Sequence, residues 1–217
     1  MMSKPQDYDR VAALYDLLDL PFEYGRYRAI RRQLFAGVSG SVLDAGVGTG
    51  RNMPFYPPGA EVIGIDLSAQ MLARARRRQT SLGVRTELKQ GDIRATSFAN
   101  ARFDYIVATF LFCVLSEEDQ LPALRELKRI CRPHGEIRLL EYTYSVNPLR
   151  RFIMRLWAPW VRLVYGAAFD RDTEHYVEAA GLALVERRFV FKDIIKLLVL
   201  RHRESEPSIS DPPSMIL

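Results

Sequence analysis

Apolar and polar residues alternate along the chain in a pattern that predicts an α/β fold. Five short apolar segments are typical of strands buried on both faces of a parallel sheet: residues 41–45, 61–65, 84–90, 105–109 and 136–142. Stretches with helical spacing lie between them: residues 69–79 and 117–131, and a helix expected from Arg51 onward. This repetition indicates a parallel sheet with helices on both faces.

Further helices are predicted on either side of this core. Apolar residues recur at helical spacing in residues 8–18 and 24–36. Residues 149–167 are rich in Trp, Arg and Leu, and Pro159 is expected to divide them into two short helices. Residues 173–180 are predicted to form a helix that ends at Gly181, and residues 182–190 and 194–201 two closing strands.

These elements predict one domain over residues 1–203. Within it, residues 1–36 are expected to form lid helices and residues 145–180 a helical insertion over the site where the substrate binds. The segment 204–217 carries three prolines and four serines, which predicts a disordered tail.

Composition narrows the class of protein. The 217 residues are 48% apolar and 26% charged, an ordinary balance for a folded domain. The two cysteines, Cys113 and Cys131, form no CxxC or Cys/His cluster, so neither a disulfide scaffold nor a metal site is expected. The start of the chain is polar and no apolar run approaches about 20 residues, which predicts a cytoplasmic protein without a membrane span. The net charge of +5 is compatible with an anionic surface or substrate.

The strongest chemical signal is a glycine loop after the first predicted strand. Gly46, Gly48 and Gly50 are spaced GxGxG, which allows positive φ and close approach of a ligand. A dinucleotide site has the pattern GxGxxG, but the third position after Gly48 is Arg51. Asp44 is unfavourable beside a pyrophosphate and suits a cationic ligand. S-adenosylmethionine carries a sulfonium and an ammonium and no phosphate, so the loop favours it.

Two more carboxylates follow at the ends of the next two predicted strands, where open parallel sheets bind ligands. Asp66 can accept hydrogen bonds from both ribose hydroxyls. Asp92 and a backbone amide at the same strand end can read the adenine edge, with Leu67 and Ile93 against the faces of the base.

As a set, the segments DAGVGTG, GIDLS, QGD and LKRICRPHGEIRLLEY resemble the class I S-adenosylmethionine-dependent methyltransferases. The resemblance covers about residues 8–201. It implies a Rossmann-like, seven-stranded, mostly parallel sheet with helices on both faces and an antiparallel last strand, and S-adenosylmethionine as cofactor. The expected cofactor-binding residues are Tyr15, Asp44, Gly46, Gly48, Gly50, Asp66, Leu67, Met71, Asp92, Ile93 and Thr109.

The methyl acceptor leaves a weaker trace in the sequence. The opening YDRVAALYD resembles the lid helix of bacterial phospholipid N-methyltransferases and of quinone-biosynthesis C-methyltransferases. The segment FYPPG, with the later Trp-rich helix, is more weakly similar to membrane-associated thiol S-methyltransferases. Thr109-Phe110 stands where nucleic-acid amino methyltransferases carry an Asn/Asp-Pro-Pro-aromatic motif, so no nucleic-acid partner is expected. The predicted catalytic residues are Tyr15, Glu141, Tyr142 and His175.

Residues 149–165 bear on the choice of acceptor. Arg151, Arg155 and Arg162 fall within about 40° on a helix, and apolar residues occupy the rest of its circumference. This pattern predicts either a lid over an apolar pocket or peripheral contact with an anionic membrane at its inner face. The expected function is methyl transfer to a small or lipid-like acceptor, first an amine phospholipid of the phosphatidylethanolamine type or a quinone precursor. A thiol acceptor and a cofactor-binding protein without turnover are the alternatives.

Overall fold

The computed structural model describes residues 27–203. The predicted helix over residues 8–18, with Tyr15, and the predicted tail 204–217 lie outside the described residues.

The described chain alternates strands and helices in the predicted order. The helices are α1 (Arg28–Leu34), α2 (Ala69–Leu82), α3 (Glu117–Ile130) and α4 (Pro148–Tyr165). The strands are β1 (Ser41–Ala45), β2 (Glu61–Asp66), β3 (Glu87–Gln90), β4 (Phe103–Thr109), β5 (Cys131–Tyr142), β6 (Leu182–Phe191) and β7 (Ile195–His202). Two 3₁₀ turns lie at Met53–Phe55 and Thr173–Tyr176.

The seven strands form one sheet in the order β3-β2-β1-β4-β5-β7-β6. Strands β1 to β5 pair in parallel, whereas β7 runs antiparallel to both β5 and β6. The predicted fold, including its antiparallel last strand, is therefore confirmed. The carboxyl ends of β1, β2 and β4 lie side by side, because Ala45 pairs with both Ile65 and Ala108.

Two buried cores lie on opposite faces of the sheet. On one face, Leu43 and Ile106 pack with Leu124 and Leu127 of α3. On the other, Val42 and Val107 pack with residues of α1, among them Ile30 and Leu34. Side chains alternate along a strand, so Asp44 points to the α1 face with Val42. Every residue of β1 is buried, which is typical of a central parallel strand.

Three of the helical predictions are wrong. After the glycine loop only the 3₁₀ turn at Met53–Phe55 forms, because Pro54, Pro57 and Pro58 lack the N–H that a longer helix needs. Residues 173–180 contain a 3₁₀ turn at Thr173–Tyr176 followed by turns; the buried Thr173 hydroxyl donates to Gln120 of α3, a tertiary contact that the local pattern does not record.

The third concerns α4, which runs unbroken through Pro159 from Pro148 to Tyr165. The proline and Arg155, whose carbonyl loses its helical donor, are both exposed, so water can satisfy that carbonyl. The Asn147 side chain caps the start of the helix, and Gly166 ends it in the left-handed conformation.

None of the described helices is long and apolar enough to cross a bilayer. Within residues 27–203, no group of three or more His, Cys, Asp or Glu residues could hold a metal ion.

Candidate cofactor and acceptor site

The glycine loop joins β1 to the first 3₁₀ turn and folds back on β2. The backbone N–H groups of Gly46 and Val47 both donate to the Ile65 carbonyl, at 2.9 Å each. Gly46, Gly48 and Gly50 have φ of +70°, +55° and +81°, which an L side chain rarely adopts. Among the residues that the structure describes, a Cβ on Gly48 would meet nothing nearer than a carbonyl oxygen at 3.9 Å. The loop therefore keeps an open space beside Gly48.

Asp66 holds the loop from the neighbouring strand. Its two carboxylate oxygens accept the backbone N–H groups of Gly48, at 2.8 Å, and Ser68, at 2.9 Å. Burial raises the pKa of Asp66, and the backbone hydrogen bonds oppose that rise. Each oxygen keeps lone-pair capacity for a further donor, which fits a pair of ribose hydroxyls. Leu67, in the turn between β2 and α2, is half-buried, and Met71, in the first turn of α2, is buried.

Arg78 also holds the glycine loop, although a run of arginines at 74 and 76–78 is typical of a solvated helix face. Its guanidinium donates to the Thr49 carbonyl at 2.9 Å and to the Thr49 hydroxyl at 3.1 Å. The signal that could have found it is its spacing, because Arg78 continues the buried stripe of Met71 and Ala75 along α2.

Asp44 is the centre of a buried polar network. Its carboxylate accepts the Asn52 side-chain amide at 2.9 and 3.1 Å and the Tyr56 hydroxyl at 2.7 Å. Desolvation raises the pKa of Asp44 to about 6, against the effect of its hydrogen bonds to Tyr56 and Asn52 and of the Arg31 charge. The Asn52 amide also donates to the Thr109 hydroxyl at 3.1 Å. Asp44 and Thr109, two predicted cofactor-binding residues, thus both accept hydrogen bonds from the side-chain amide of Asn52.

Arg31, Asn52 and Tyr56 are absent from the predicted site. The Arg31 guanidinium donates to Asn52 Oδ1 at 2.6 Å, and both residues are buried. Arg31 lies on α1, and only the folded sheet brings that helix against the end of β1.

The predicted adenine residues lie just after β3. Ile93 is buried and Asp92 half-buried. The Asp92 carboxylate is bound by Arg94, which holds its pKa below the usual range.

Glu141 and Tyr142 point to opposite faces of the sheet, as neighbours on a strand must. Glu141 is buried, and its two oxygens accept the backbone N–H groups of Phe112 at 3.0 Å and Cys113 at 2.9 Å. Burial raises its pKa to about 8. Glu141 therefore holds the loop after β4 from the face of the sheet opposite Tyr142, and its catalytic role stays a prediction.

Tyr142 belongs to a group of rings on the α1 side, here called the aromatic cluster: Tyr27, Phe110, Tyr142, Tyr144 and Phe169. Tyr142 stacks on Phe110 with ring centroids 4.3 Å apart. Its hydroxyl is hydrogen-bonded to that of Tyr27 at 2.7 Å, and its ring meets Phe169 edge to face at 5.6 Å. The cluster lies at the carboxyl ends of β4 and β5, one strand beyond the glycine loop.

His175 is not brought to this cluster. It lies exposed in the second 3₁₀ turn, and its ring contacts Tyr176, which packs against the α3-side core. Its predicted catalytic role therefore has no geometric support in this structure.

Similarity to known proteins agrees with this site. Residues 42–135 match the family model described as "Methyltransferase domain". A demethylmenaquinone methyltransferase from Thermobifida fusca is 34% identical over 192 residues, which cover 81% of this chain and 80% of that protein. A phosphatidylethanolamine N-methyltransferase from Cereibacter sphaeroides is 38% identical over 136 residues, 60% of this chain and 64% of that relative, so just under two thirds of its length is spanned.

The fold has close counterparts among solved structures. That of a SAM-dependent methyltransferase from Aquifex aeolicus superposes with a TM-score of 0.64 at 19% identity, covering 91% of this chain and 97% of the other.

The chain belongs to the S-adenosylmethionine-dependent methyltransferase family. The predicted family, enzyme class and cofactor are confirmed. The site fits that cofactor: the open space beside Gly48 admits a ligand against the backbone, and Asp66 offers acceptors for a ribose. The individual site residues stay predictions.

Proposed function

We propose that this chain transfers a methyl group from S-adenosylmethionine to the amino nitrogen of a phospholipid headgroup of the phosphatidylethanolamine type, at the surface of an anionic membrane. The observation that carries the proposal is α4, an amphipathic helix whose apolar face is open to solvent. The name of the similar Cereibacter sphaeroides protein supports this class of acceptor.

Seven large apolar side chains of α4 fall within an arc of about 140°. All of them are exposed, Leu149, Leu156 and Leu163 by 70%, 71% and 76%. The others are Phe152, Ile153, Trp157 and Trp160. A continuous apolar face of this kind marks an interaction surface, and aromatic rings beside aliphatic ones suit the boundary between lipid headgroups and acyl chains.

The charges of α4 favour an anionic membrane as the occupant of this face. The helix contains four arginines and no acidic residue. Arg151, Arg155 and Arg162 share the side opposite the apolar arc and are exposed. Each arginine near an anionic surface contributes about 1 kcal/mol of attraction.

The aromatic cluster contains residues from both sides of α4 in the sequence. Tyr142 and Tyr144 precede the helix and Phe169 follows it, and the Phe169 ring contacts both tyrosine rings. Asp193 fixes the entry to the helix, accepting the Ser145 hydroxyl at 2.6 Å and the Val146 N–H at 2.8 Å and pairing with Arg150. A headgroup held beneath α4 would therefore be close to the cluster.

The bound cofactor supplies an electrophilic methyl group. The amine must present its lone pair, so it reacts in the neutral form. The hydroxyls of Tyr27 and Tyr142 can orient an amine N–H, and the ring faces stabilise the alkylammonium product by cation–π attraction of about 0.5–2 kcal/mol. The described cluster contains no carboxylate or imidazole, so the proton that the headgroup ammonium loses before transfer passes to water, and the product leaves as the alkylammonium.

A quinone precursor is the second candidate. The demethylmenaquinone methyltransferase of Thermobifida fusca is similar over most of its length, and stacked rings such as Phe110 and Tyr142 also suit a flat acceptor.

The first test is S-adenosylhomocysteine release from the full chain with three acceptors: phosphatidylethanolamine in phosphatidylglycerol vesicles, a demethylated naphthoquinol in the same vesicles, and a small alkyl thiol. Release with the amine lipid alone supports the proposal. Release only with the quinol or only with the thiol would replace it with that acceptor, and release with none would indicate binding without turnover.

The second test is co-sedimentation with vesicles of varied phosphatidylglycerol content. Reversing charge by Arg151→Glu with Arg155→Glu should weaken binding by at least about thirtyfold, because two contributions of about 1 kcal/mol are lost. The matched control is Arg76→Glu with Arg77→Glu, two exposed arginines of α2 that carry the same change of charge. If the unsubstituted protein does not co-sediment with vesicles at low salt, or forms a dimer that buries α4, the membrane proposal is wrong.

A further inference from the structure

The carboxylate of Asp92 accepts several hydrogen bonds from one residue, Arg94. The Arg94 backbone N–H donates to Oδ1 at 2.9 Å. Its Nε lies 2.9 Å from Oδ1 and 3.0 Å from Oδ2, and a terminal guanidinium nitrogen is 2.6 Å from Oδ2. A carboxylate has about four lone-pair positions. Three N–H groups of Arg94 take up most of this capacity, and the Nε–H is shared between both oxygens, so a further donor competes with Arg94 for the carboxylate.

Arg94 has a second acidic partner, which holds its guanidinium when a ligand competes for Asp92. Its other terminal nitrogen donates to Asp119 at 2.7 Å. Asp119 lies in the first turn of α3 and also accepts the Ser116 hydroxyl at 2.7 Å. The side chains of Asp92 and Arg94 are each 32% exposed, so their ion pair is of the weak, partly solvated kind that a ligand can displace.

We infer that Arg94 is a specificity-determining residue of the cofactor site, because it competes with the 6-amino group of adenine for Asp92. The inference rests on Asp92 facing the adenine edge, as its place after β3, beside the strand that carries Asp66, predicts. It does not depend on the proposed acceptor.

Competition between Arg94 and the adenine amino group predicts in which direction the ligand affinity changes. An amino group that binds Asp92 must share the carboxylate with Arg94, so adenine recognition is weaker than the carboxylate alone would give. A purine without the amino group does not use that acceptor and leaves the ion pair intact. Removing Arg94 should therefore strengthen binding of adenine ligands selectively.

Calorimetry of S-adenosylhomocysteine, and of its analogue with unsubstituted purine in place of adenine, tests this inference. Arg94→Leu should bind S-adenosylhomocysteine about two- to fivefold more tightly than the parent, the range of a partly exposed ion pair, with no change for the purine analogue. Asp119→Asn should weaken S-adenosylhomocysteine binding by a similar factor, because Arg94 then keeps Asp92 as its only carboxylate among these partners.

Arg94→Lys keeps the charge without the planar fork and should give an intermediate affinity, which also covers failure of the leucine variant to fold. Arg188→Leu, at an exposed arginine that pairs with Glu186, is the matched control and should bind both ligands as the parent does. Weaker binding of S-adenosylhomocysteine by Arg94→Leu, or an equal change for both ligands, would make Arg94 a support of the site and overturn the inference.

Discussion

Arg31 fixes the direction in which the Asn52 side-chain amide points. The guanidinium donates to Asn52 Oδ1 at 2.6 Å across 21 residues of sequence. Arginine has no acceptor, so the oxygen of the amide must face it and the NH₂ group must face Asp44. The cofactor loop is thereby tied to α1, which lies within residues 1–36, the predicted N-terminal lid.

Asn52→Asp should destabilise the fold by about 1–3 kcal/mol, because it replaces the donor to Asp44 with a second buried acceptor. Urea unfolding measures this loss. Asn100→Asp, on an exposed loop, is the control and should change stability by less than about 0.5 kcal/mol. Equal effects of the two variants would show that the network does not need the orientation of Asn52.

The titration of Asp44 should make binding of the cationic cofactor depend on pH. Its pKa is raised from 3.8 to about 6, so it is charged at pH 7.5 and becomes neutral as the pH falls through about 6. S-adenosylmethionine carries the sulfonium charge that S-adenosylhomocysteine lacks. The ratio of their affinities should fall about fivefold between pH 7.5 and 5, equivalent to about 1 kcal/mol of lost attraction. In Asp44→Asn the ratio should not change with pH; the same pH dependence in both proteins would exclude Asp44 as its cause.

Glu141 should give the opposite of the usual acid dependence of stability. Its pKa is raised from 4.5 to about 8, so in that range the folded chain keeps a proton that the unfolded chain has lost. Its contribution to stability is therefore full below about pH 4.5 and decreases as the pH rises to about 8, by at most about 1.4 kcal/mol per unit.

Glu141→Gln removes this titration and also presents an NH₂ group to one of the two loop amides. The free energy of unfolding of the parent, measured in urea between pH 5 and 8, should fall towards that of the glutamine variant. Parallel curves for the two proteins would contradict the raised pKa. Glu186→Gln, an exposed glutamate on β6, should follow the parent at every pH.

Local patterns were sufficient to predict the frame of the site. Apolar segments located the strands, glycines required by positive φ located the loop, and the rule that parallel sheets bind ligands at their carboxyl ends singled out Asp44, Asp66 and Asp92. Each of these signals lies within fewer than about ten consecutive residues and depends only on local backbone geometry.

The contacts between distant segments could not be predicted in this way. Arg31 reaches Asn52 and Tyr27 reaches Tyr142 only because the folded sheet brings α1 over the ends of β1 and β5. The predicted break at Pro159 was wrong because the effect of a proline on a helix depends on whether water can reach the carbonyl that loses its N–H donor, here that of Arg155. Glu141 and Tyr142 were both predicted as catalytic residues, although the alternation of side chains along β5 places them on opposite faces of the sheet.

The open space beside Gly48 allows a test with a matched control elsewhere in the fold. Gly48 and Gly59 both have positive φ, +55° and +80°, and within residues 27–203 a Cβ would have no close neighbour at either position. An alanine should cost roughly 1–2 kcal/mol of stability in each variant, because the left-handed backbone is strained with a Cβ. Only Gly48→Ala places its methyl group in the predicted cofactor space, so it alone should lose at least about tenfold in affinity for S-adenosylhomocysteine, about 1.4 kcal/mol. Thermal unfolding and calorimetry of the two variants separate strain from occlusion, and unchanged affinity in Gly48→Ala would mean that the cofactor does not approach the backbone there.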